Sequence, residues 1–176
     1  MYARAGIGFD MGTWKPSKLK EENTSTPLGV PGGLPFYRIY VTTPQLGDWI
    51  LRLSCGYWGQ SDIENQSDVQ SIGLTLLMCE LKHRIVPQSR FTPFASYGLT
   101  VFLGSESPEN KHYQWFNPVK EVGYGFNVGT GFDCLFFRKW IATVEFCYHF
   151  VRFQEPVGLT NDYSGPRITA GFSFVL

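Results

Sequence analysis

Apolar residues alternate with polar or small residues along most of the chain, in segments of about nine to twelve residues. A period of two is the pattern of β-strands with two unlike faces, and the 3.6-residue period of amphipathic helices is almost absent. The alternation predicts eight strands, at residues 3–14, 36–43, 49–59, 71–82, 91–104, 121–136, 140–153 and 167–176.

The connections between these strands alternate strictly between long and short. The long connections, which are polar and rich in Pro, Gly, Ser and Asn, are 15–34, 60–70, 105–120 and 154–166. The short connections are 44–48, 86–90 and 137–139. In an up-and-down meander every second connection lies at the same end of the sheet. The pattern predicts one all-β domain, residues 1–176, that folds as an antiparallel up-and-down eight-stranded β-barrel with its long loops at one end.

The two faces of each predicted strand differ in charge. One face is apolar, as with Val144 and Phe146 in the seventh strand, and the other carries Gly, Ser, Thr and nearly every charged residue of the strands. In the fourth strand we assign to the apolar face Ile72, Leu74, Leu76 and Met78. This assignment leaves Glu80 and Lys82 on the apolar face, near a turn.

Side-chain volume indicates which face lies inside the barrel. Eight strands enclose an interior just wide enough for side chains, so a face as bulky as the one with Phe126, Phe146 and Phe172 does not fit there. The glycine-rich face fits, and the apolar face then meets lipid, where a closed barrel leaves no backbone group unpaired. We therefore expect a transmembrane barrel. The alternative is a soluble lipocalin-like carrier with the apolar face inside.

Aromatic residues near the strand ends fit the belts that such barrels place at the two membrane surfaces. At the short-turn end these residues are Trp49, Phe91, Phe136 and Trp140. At the long-loop end we expect Trp14, Tyr57 and residues 148–150 in the second belt.

The composition agrees with an apolar exterior. The chain has 176 residues, of which 43% are hydrophobic, 16% aromatic and 17% charged, with a net charge of +0. The charged fraction is below the roughly 25% usual for soluble domains. Zero net charge argues against a nucleic-acid partner, because phosphate contacts need clustered Lys and Arg.

The N-terminus lacks a signal-peptide pattern, so we expect a mature form from which that peptide has been removed.

Three stretches, residues 92–98, 123–133 and 169–176, resemble small bacterial outer-membrane β-barrel proteins of the OmpA/OmpX-like "porin family" kind. The resemblance implies a barrel in the outer membrane of a Gram-negative bacterium. It also implies an assembly signal in the last strand, at Thr169, Gly171, Phe174 and Leu176. A terminal Leu stands where these proteins more often carry Phe. The resemblance specifies fold and compartment but no activity, because this fold hosts many functions.

An inward glycine-rich face places a set of charged residues in the lumen. The predicted lumen polar network is Arg4, Asp10, Arg38, Arg52, Glu121, Asp133, Glu145, His149 and Arg167. We expect these groups to pair, because unpaired buried charge is costly, and to fill a lumen too narrow to conduct. The alternative is a gated pore or a small binding site.

A lipid A-modifying enzyme is the alternative function, because the resemblance extends to barrels that are lipid A deacylases, with a His-x-Ser pair on a late strand. Here Val151 stands at the nucleophile position after His149, and the chain has no Gly-x-Ser-x-Gly or His-Glu-x-x-His motif. We expect no catalytic residue and no cofactor, and for His149 a lumen contact with Glu121, Glu145 or Arg167. No metal site is expected either, because the four cysteines lack the short spacing of zinc ligands.

The sequence thus predicts a non-enzymatic outer-membrane barrel with a structural or interaction role, or a subunit of a larger envelope complex. The long loops would be external and carry recognition. The candidate loop contact is an aromatic group in the third long loop, Tyr113, Trp115 and Phe116. The expected partners are outer-membrane lipid and lipopolysaccharide, the barrel assembly machinery and other envelope proteins.

Overall fold

The computed structural model describes residues 4–18, 34–61, 69–86, 90–108, 119–158 and 160–176. It contains nine strands, which are β1 (Gly6–Trp14), β2 (Leu34–Thr42), β3 (Trp49–Ser61), β4 (Val69–Arg84), β5 (Phe91–Pro108), β6 (Val119–Phe137), β7 (Trp140–Val157), β8 (Thr160–Asp162) and β9 (Gly165–Val175). Within the described ranges, no helix is long and apolar enough to cross a membrane.

Eight of the nine strands close into one antiparallel barrel. Strands β1 to β7 pair in chain order, β7 pairs with β9, and β9 pairs with β1. The last strand therefore lies beside the first, with Phe172 opposite Phe9 in the ladder. The three-residue strand β8 adds to the end of β7 at the long-loop end. The prediction of an up-and-down eight-stranded antiparallel β-barrel is confirmed.

The strands on one side of the barrel are longer than the alternation predicted. β5 continues to Pro108, β6 begins at Val119 and β7 continues to Val157. Parts of two predicted long loops thus belong to the sheet, because backbone groups that pair with a neighbouring strand need no other partner. Gly158 then reverses the chain with a φ of 63°, a conformation that glycine adopts without steric cost.

Outward-facing side chains form an apolar surface on every barrel strand. One exposed residue from each strand shows this: Ile7, Ile39, Leu53, Leu77, Leu99, Phe132, Val144 and Phe172. Leu99 is 72% exposed and Phe132 is 62% exposed. At the short-turn end Trp49, Phe91 and Trp140 are also exposed, as predicted for an aromatic belt. The apolar face therefore lies outside, which contradicts the lipocalin-like arrangement.

Strand β4 is the exception to the predicted faces. Its residues Ile72, Leu74, Leu76 and Met78 are buried in the lumen. Leu77 and Cys79 are exposed outside instead, so the face assigned to this strand is wrong by one residue. The physical reason is that the long-loop end of the lumen is itself apolar. Apolar residues of β4 face inward there, and Glu80 and Lys82 face inward below them.

An apolar cluster, which we call the apolar plug, fills the lumen at the long-loop end. Its members are Trp14, Phe36, Trp58, Ile72, Leu74, Leu76, Met78, Phe102, Val151, Phe153, Val157 and Tyr163. Trp14 and Trp58 pack edge to face with 5.5 Å between ring centroids. Tyr163, just after β8, donates a hydrogen bond to the Val157 carbonyl. The prediction that Trp14 belongs to the outer belt is wrong, because its side chain is fully buried.

Candidate functional site in the barrel lumen

The lumen below the apolar plug holds a group of buried charged side chains that we call the central cluster. Six strands contribute one residue each: Asp10 (β1), Arg38 (β2), Arg52 (β3), Glu80 (β4), Glu145 (β7) and Arg167 (β9). Each of the six stands at an inward position of its strand, so the two-residue period of the strands aims these side chains at one another. None of the six is more than 1% exposed.

Two arginines bind all three carboxylates of the central cluster. Arg38 donates hydrogen bonds to Asp10 and, from Nη2, to Glu145 Oε2 at 2.6 Å. A third bond runs from Arg38 Nη1 to Glu80 Oε2 at 3.1 Å. Arg52 donates from Nε to Glu80 Oε2 at 2.8 Å and from Nη2 to Glu145 Oε1 at 2.7 Å. The planar fork of each guanidinium thus joins carboxylates from different strands through charge-assisted hydrogen bonds.

Neutral side chains complete the contacts of the two glutamates. Ser96 Oγ donates to Glu145 Oε1 at 2.8 Å, and Asn127 Nδ2 donates to Glu80 Oε1 at 2.7 Å. Gly98 lies between Glu80 and Asn127 in the ladder. A Cβ at Gly98 would meet the Cys79 carbonyl oxygen and come within 2.7 Å of Glu80 Cα and 2.8 Å of Glu80 Cγ, so glycine allows the close approach of the β4 backbone beside this glutamate.

A second, smaller group of charges lies at the short-turn end of the lumen. Lys82 Nζ is 2.7 Å from Asp133 Oδ1, and Arg84 Nη2 is 3.2 Å from Asp133 Oδ2. Thr143 Oγ1 also donates to Asp133 at 2.8 Å. The Lys82 ammonium lies 3.7 Å from the centre of the Phe94 ring. The Asp133 carboxylate thus has three side-chain partners. This group of charged side chains occupies the short-turn end of the lumen.

Arg167 has the weakest ion pair of the central cluster. Its Nη2 is 3.8 Å from Glu145 Oε2, too far for a hydrogen bond, and its Nη1 donates to Met78 Sδ at 3.6 Å. Its guanidinium carbon lies 4.7 Å from the centre of the Phe36 ring. Arg167 is therefore packed against the apolar plug, with a cation–π contact in place of a close carboxylate.

His149 also lies between the plug and the central cluster and is fully buried. Its ring is 5.2 Å from the Trp14 ring and 6.2 Å from the Phe102 ring, measured between centroids. Its Nε2 lies 3.9 Å from Cys147 Sγ, and that sulfur accepts a hydrogen bond from Asn127 Nδ2 at 3.7 Å. The close polar contact of His149 is thus Cys147, and the described hydrogen bonds join it to none of the partners expected from the sequence, Glu121, Glu145 or Arg167.

Seven of the nine predicted lumen residues lie in the lumen: Asp10, Arg38, Arg52, Asp133, Glu145, His149 and Arg167. Arg4 is exposed, because it precedes Gly6, where the ladder of β1 begins, and its assignment to the lumen is wrong. Glu121 is partly exposed and pairs in the ladder with Gly104, at the level of the apolar plug. It lies outside both charged groups because the inward space at that level is apolar.

Sequence reasoning missed three charged residues of the lumen, namely Glu80, Lys82 and Arg84. The signal that would have found them is their own spacing, since charges recur at every second position from 80 to 84. Following the apolar residues of β4 gave the opposite face. In a narrow barrel with an apolar plug, charge is the better guide to the lumen.

Contacts beyond the plug join the end of β1 to the connection between β8 and β9. Ser17 N donates to the Ser164 carbonyl at 2.8 Å, and Lys18 Nζ is 3.2 Å from Asp162 Oδ2. Hydrogen bonds from Ser164, together with the nearby Lys18, hold the pKa of Asp162 below its ordinary value. The contribution of this contact is present at neutral pH and is lost as the pH falls through that lowered pKa.

Solved structures with the same architecture identify the fold. Neisserial surface protein A superposes with a TM-score of 0.73, covering 98% of this chain and 97% of that chain at 13% identity. The outer membrane protein OprG of Pseudomonas aeruginosa gives 0.70, covering 99% and 97% at 14% identity. The attachment invasion locus protein Ail of Yersinia pestis gives 0.55, covering 98% and 97% at 9% identity. This chain has the fold of the small outer-membrane β-barrels. No protein-family model and no curated protein sequence matches it.

The residues predicted as an assembly signal lie on the strand that closes this outer-membrane barrel fold. Thr169 and Gly171 face the lumen, and Leu176 is exposed after the end of β9. The Phe174 ring lies 5.2 Å from the Trp140 ring, near the short turns. Their role in assembly stays a prediction. The candidate loop contact at Tyr113, Trp115 and Phe116 lies outside the described residues.

The cysteines of this barrel fold do not meet. Cys55 and Cys79 are exposed on the outer face, Cys134 is partly exposed and Cys147 is buried, and all four are free. Among the described residues, no three His, Cys, Asp or Glu side chains are grouped so that they could hold a metal ion. What the lumen offers chemically is two groups of buried charged side chains, with five cations and four carboxylates in the described strands, below an apolar plug.

Proposed function

We propose that the protein spans the bacterial outer membrane as a non-enzymatic β-barrel with a structural or interaction role, and that its long-loop end carries recognition. The observation that supports this most is the continuous apolar outer surface, to which all eight barrel strands contribute exposed side chains. Monomeric soluble proteins rarely expose a contiguous apolar surface of this extent, because it would drive aggregation in water. In a bilayer the same surface is solvated by lipid.

The outer-membrane location agrees with the fold and with the ladder. Every barrel strand has two neighbours, so the sheet has no edge whose backbone groups would be left unpaired in hydrocarbon. Exposed Trp49 and Trp140 at the short-turn end suit the membrane surface, where amphipathic rings are stable. The solved structures with this fold include outer-membrane proteins, which supports the same compartment for this chain.

A role in recognition is more consistent with the lumen than a role in transport. The apolar plug fills the long-loop end, the central cluster lies below it, and the Lys82–Asp133 pair lies at the short-turn end. Eight strands leave no further space for an aqueous path. Surface barrels with this fold include one whose name denotes attachment and invasion, which supports recognition by exposed loops here.

The lipid A-modifying alternative is less well supported. An acyl-transfer enzyme needs an activated nucleophile within reach of its base and of the lipid. His149 is fully buried in the lumen, its polar contact is Cys147, and Val151 occupies the position where a deacylase would carry Ser. No lipid headgroup on the outer surface can reach this ring without removal of the plug.

Membrane insertion can be tested by refolding the full chain from urea into lipid vesicles and, in parallel, into detergent-free buffer. We expect a folded, protease-resistant barrel that floats with the vesicles, and aggregation in buffer alone. A monodisperse, folded protein in detergent-free buffer would contradict the proposal.

Recognition can be tested by proximity crosslinking in native outer membranes. One variant has residues 111–117 of the third long loop replaced by a Gly/Ser segment, and a control has the same replacement at residues 62–68 of the second long loop. We expect the first replacement to remove crosslinked envelope partners and the control to retain them. Unchanged partners in both variants would argue for a purely structural role.

A further inference from the structure

Charge is distributed unequally between the two ends of the barrel. The four long connections predicted from the sequence hold nine acidic and five basic side chains. At the short-turn end, the described residues outside the lumen include one exposed acidic side chain, Asp48, and four exposed cations, Arg4, Arg90, Arg138 and Lys139. The net charge of +0 therefore includes an excess of cations at the short-turn end.

Backbone hydrogen bonds bring three of these cations to one side of the rim. Val175 N donates to the Lys139 carbonyl at 2.8 Å, and Leu176 N donates to the Ala5 carbonyl at 2.9 Å. The end of β9 thus lies between the β6–β7 turn, which carries two of the cations, and the segment before β1, which carries Arg4.

Arg90 extends this group along the rim toward β5. Its Nε donates to the Leu135 carbonyl at 3.2 Å, and Leu135 N donates to the Arg90 carbonyl at 3.0 Å, so Arg90 lies against the end of β6. Asp48 lies beyond it, in the β2–β3 turn, where its carbonyl accepts from Arg84 N at 2.8 Å. We call the four cations the basic arc, which consists of Arg4, Arg90, Arg138 and Lys139.

The charges of the basic arc are not neutralised within the described part of the chain. There, none of the four side chains has a carboxylate within ion-pair distance. Lys139 Nζ lies 5.1 Å from the centre of the Phe174 ring, which holds the ammonium group beside the membrane-facing surface. An anion from outside the chain can therefore bind these cations without displacing a carboxylate.

The basic arc also lies beside the aromatic belt of the short-turn end. Three of its cations are sequence neighbours of an exposed aromatic residue: Arg90 of Phe91, Arg138 of Phe137 and Lys139 of Trp140. Exposed aromatic rings lie at the headgroup level of a membrane, and long basic side chains near the ends of membrane spans extend to the same level. The phosphate groups of lipids are thus the anions nearest to the basic arc.

We propose that the basic arc binds anionic phospholipids, through their phosphate groups, in the leaflet at the short-turn end. This inference rests on the proposed membrane-spanning function. Each Lys or Arg near a membrane surface strengthens the attraction to anionic lipid about fivefold. An arginine fork also fits a phosphate group through paired hydrogen bonds. The bound lipids would fix the depth of the short-turn end in the membrane.

Quenching of tryptophan fluorescence by brominated lipids can measure this preference beside Lys139. The full chain with Trp49→Phe and Trp115→Phe keeps Trp140 as the reporter at the short-turn end, while Trp14 and Trp58 are buried in the lumen. It is refolded into vesicles of phosphatidylcholine and phosphatidylglycerol in which one or the other lipid carries bromine. At low salt we expect Trp140 to report a preference for phosphatidylglycerol of about fivefold or more. The preference should fall at high salt, because ions screen exposed charges.

Trp49 provides an internal control on the same rim. A second reporter protein keeps Trp49 and carries Trp140→Phe and Trp115→Phe. Trp49 follows Asp48 in the β2–β3 turn and lies outside the basic arc, so it should report little preference between the two lipids.

Charge variants of the Trp140 reporter test the origin of the preference. Arg138→Gln combined with Lys139→Gln should remove most of it. The control is Arg152→Gln, at an exposed position of the long-loop end, which should retain it. A preference that survives in the double variant would overturn the proposal.

The same experiment distinguishes this proposal from the membrane-spanning function. A protein that inserts into the vesicles and is quenched equally by the two lipids at Trp140 would overturn lipid binding by the basic arc, and the spanning function would stand. Failure to insert into vesicles of either lipid would contradict both.

Discussion

Arg38 Nη2 on β2 and Glu145 Oε2 on β7 lie 2.6 Å apart across the lumen, although 107 residues separate them in the chain. Neither strand is a neighbour of the other in the sheet, so this bond exists only when the barrel has closed. Glu145 also accepts from Arg52 and Ser96. The central cluster therefore stabilises the fully closed barrel and adds little stability to partly formed sheets.

Removal of the Glu145 charge is the first prediction. In Glu145→Gln the three arginines of the central cluster face only two carboxylates, and a buried cation is left without compensation. The free energy of unfolding should fall by about 3–5 kcal/mol, as is typical when one partner of a buried ion pair is removed. Urea unfolding of the barrel in detergent or vesicles would measure it.

Glu155→Gln on the same strand provides the matched control, because Glu155 is exposed. This change should leave the free energy of unfolding nearly unchanged. Equal stability of the Glu145 variant and wild type would mean that the central cluster contributes nothing net.

The lipid-facing surface gives the second prediction. Val128 and Leu53 are exposed on the outer face near the middle of their strands. Replacing either by Arg should destabilise the protein in bilayers by about 2–4 kcal/mol, because a charge at the midplane must leave water. Thr100→Ser, on the lumen side, is the control and should cost far less. Tolerance of both Arg variants would argue that this face meets water.

The alternation of the sequence was sufficient to predict the strand order and the outer face for most strands, because both depend on local pattern. It failed for β4, where Leu74 and Leu76 look like lipid-facing residues but line the plug. The two environments are equally apolar, so composition cannot distinguish them. Only the partners across the lumen, such as Trp14 and Phe102, decide which apolar face is inside, and those partners come from strands distant in sequence.

The ion pairs of the lumen could not be predicted from the sequence either. It was possible to predict that Arg38, Arg52 and Glu145 share a lumen, because each lies at an inward position of its strand. Which cation pairs with which carboxylate depends on the stagger of the strands, and a shift of one residue in the register would change every one of these contacts. Glu80, which binds both arginines, was missed for a different reason, since the apolar residues of β4 were assigned to the outer face.

The third prediction concerns conduction. The apolar plug and the central cluster are two separate obstacles in series, so planar-bilayer recordings of wild type should show no stable conductance. Tyr163→Ala should loosen the plug and lower stability, because Tyr163 packs on Trp58 and Phe153. It should still not conduct, since Arg38 and Glu145 close the lumen below. Steady channels of porin size in either protein would contradict the sealed lumen.

His149 is the subject of the fourth prediction. His149→Ala should leave lipid A unchanged by mass spectrometry, as should wild type, because no hydroxyl of the described residues is hydrogen-bonded to this ring. The variant should lose about 1–3 kcal/mol of stability, since it removes the contact with Cys147 and the packing against Trp14. His149→Phe, which keeps the packing, should recover part of that loss. Deacylation or acyl transfer that requires His149 would support the enzyme alternative.

The fifth prediction uses the free cysteines as reporters of their surroundings. Cys55 and Cys79 are exposed on the outer face, whereas Cys147 is buried beside His149. In vesicles a charged, membrane-impermeant thiol reagent should leave all three unmodified, because lipid excludes the reagent from the first two and the barrel wall excludes it from Cys147. Unfolding in urea should make all three reactive at similar rates, which controls for intrinsic reactivity. Rapid modification of Cys55 and Cys79 in the folded protein would mean that water, and not lipid, covers the outer face.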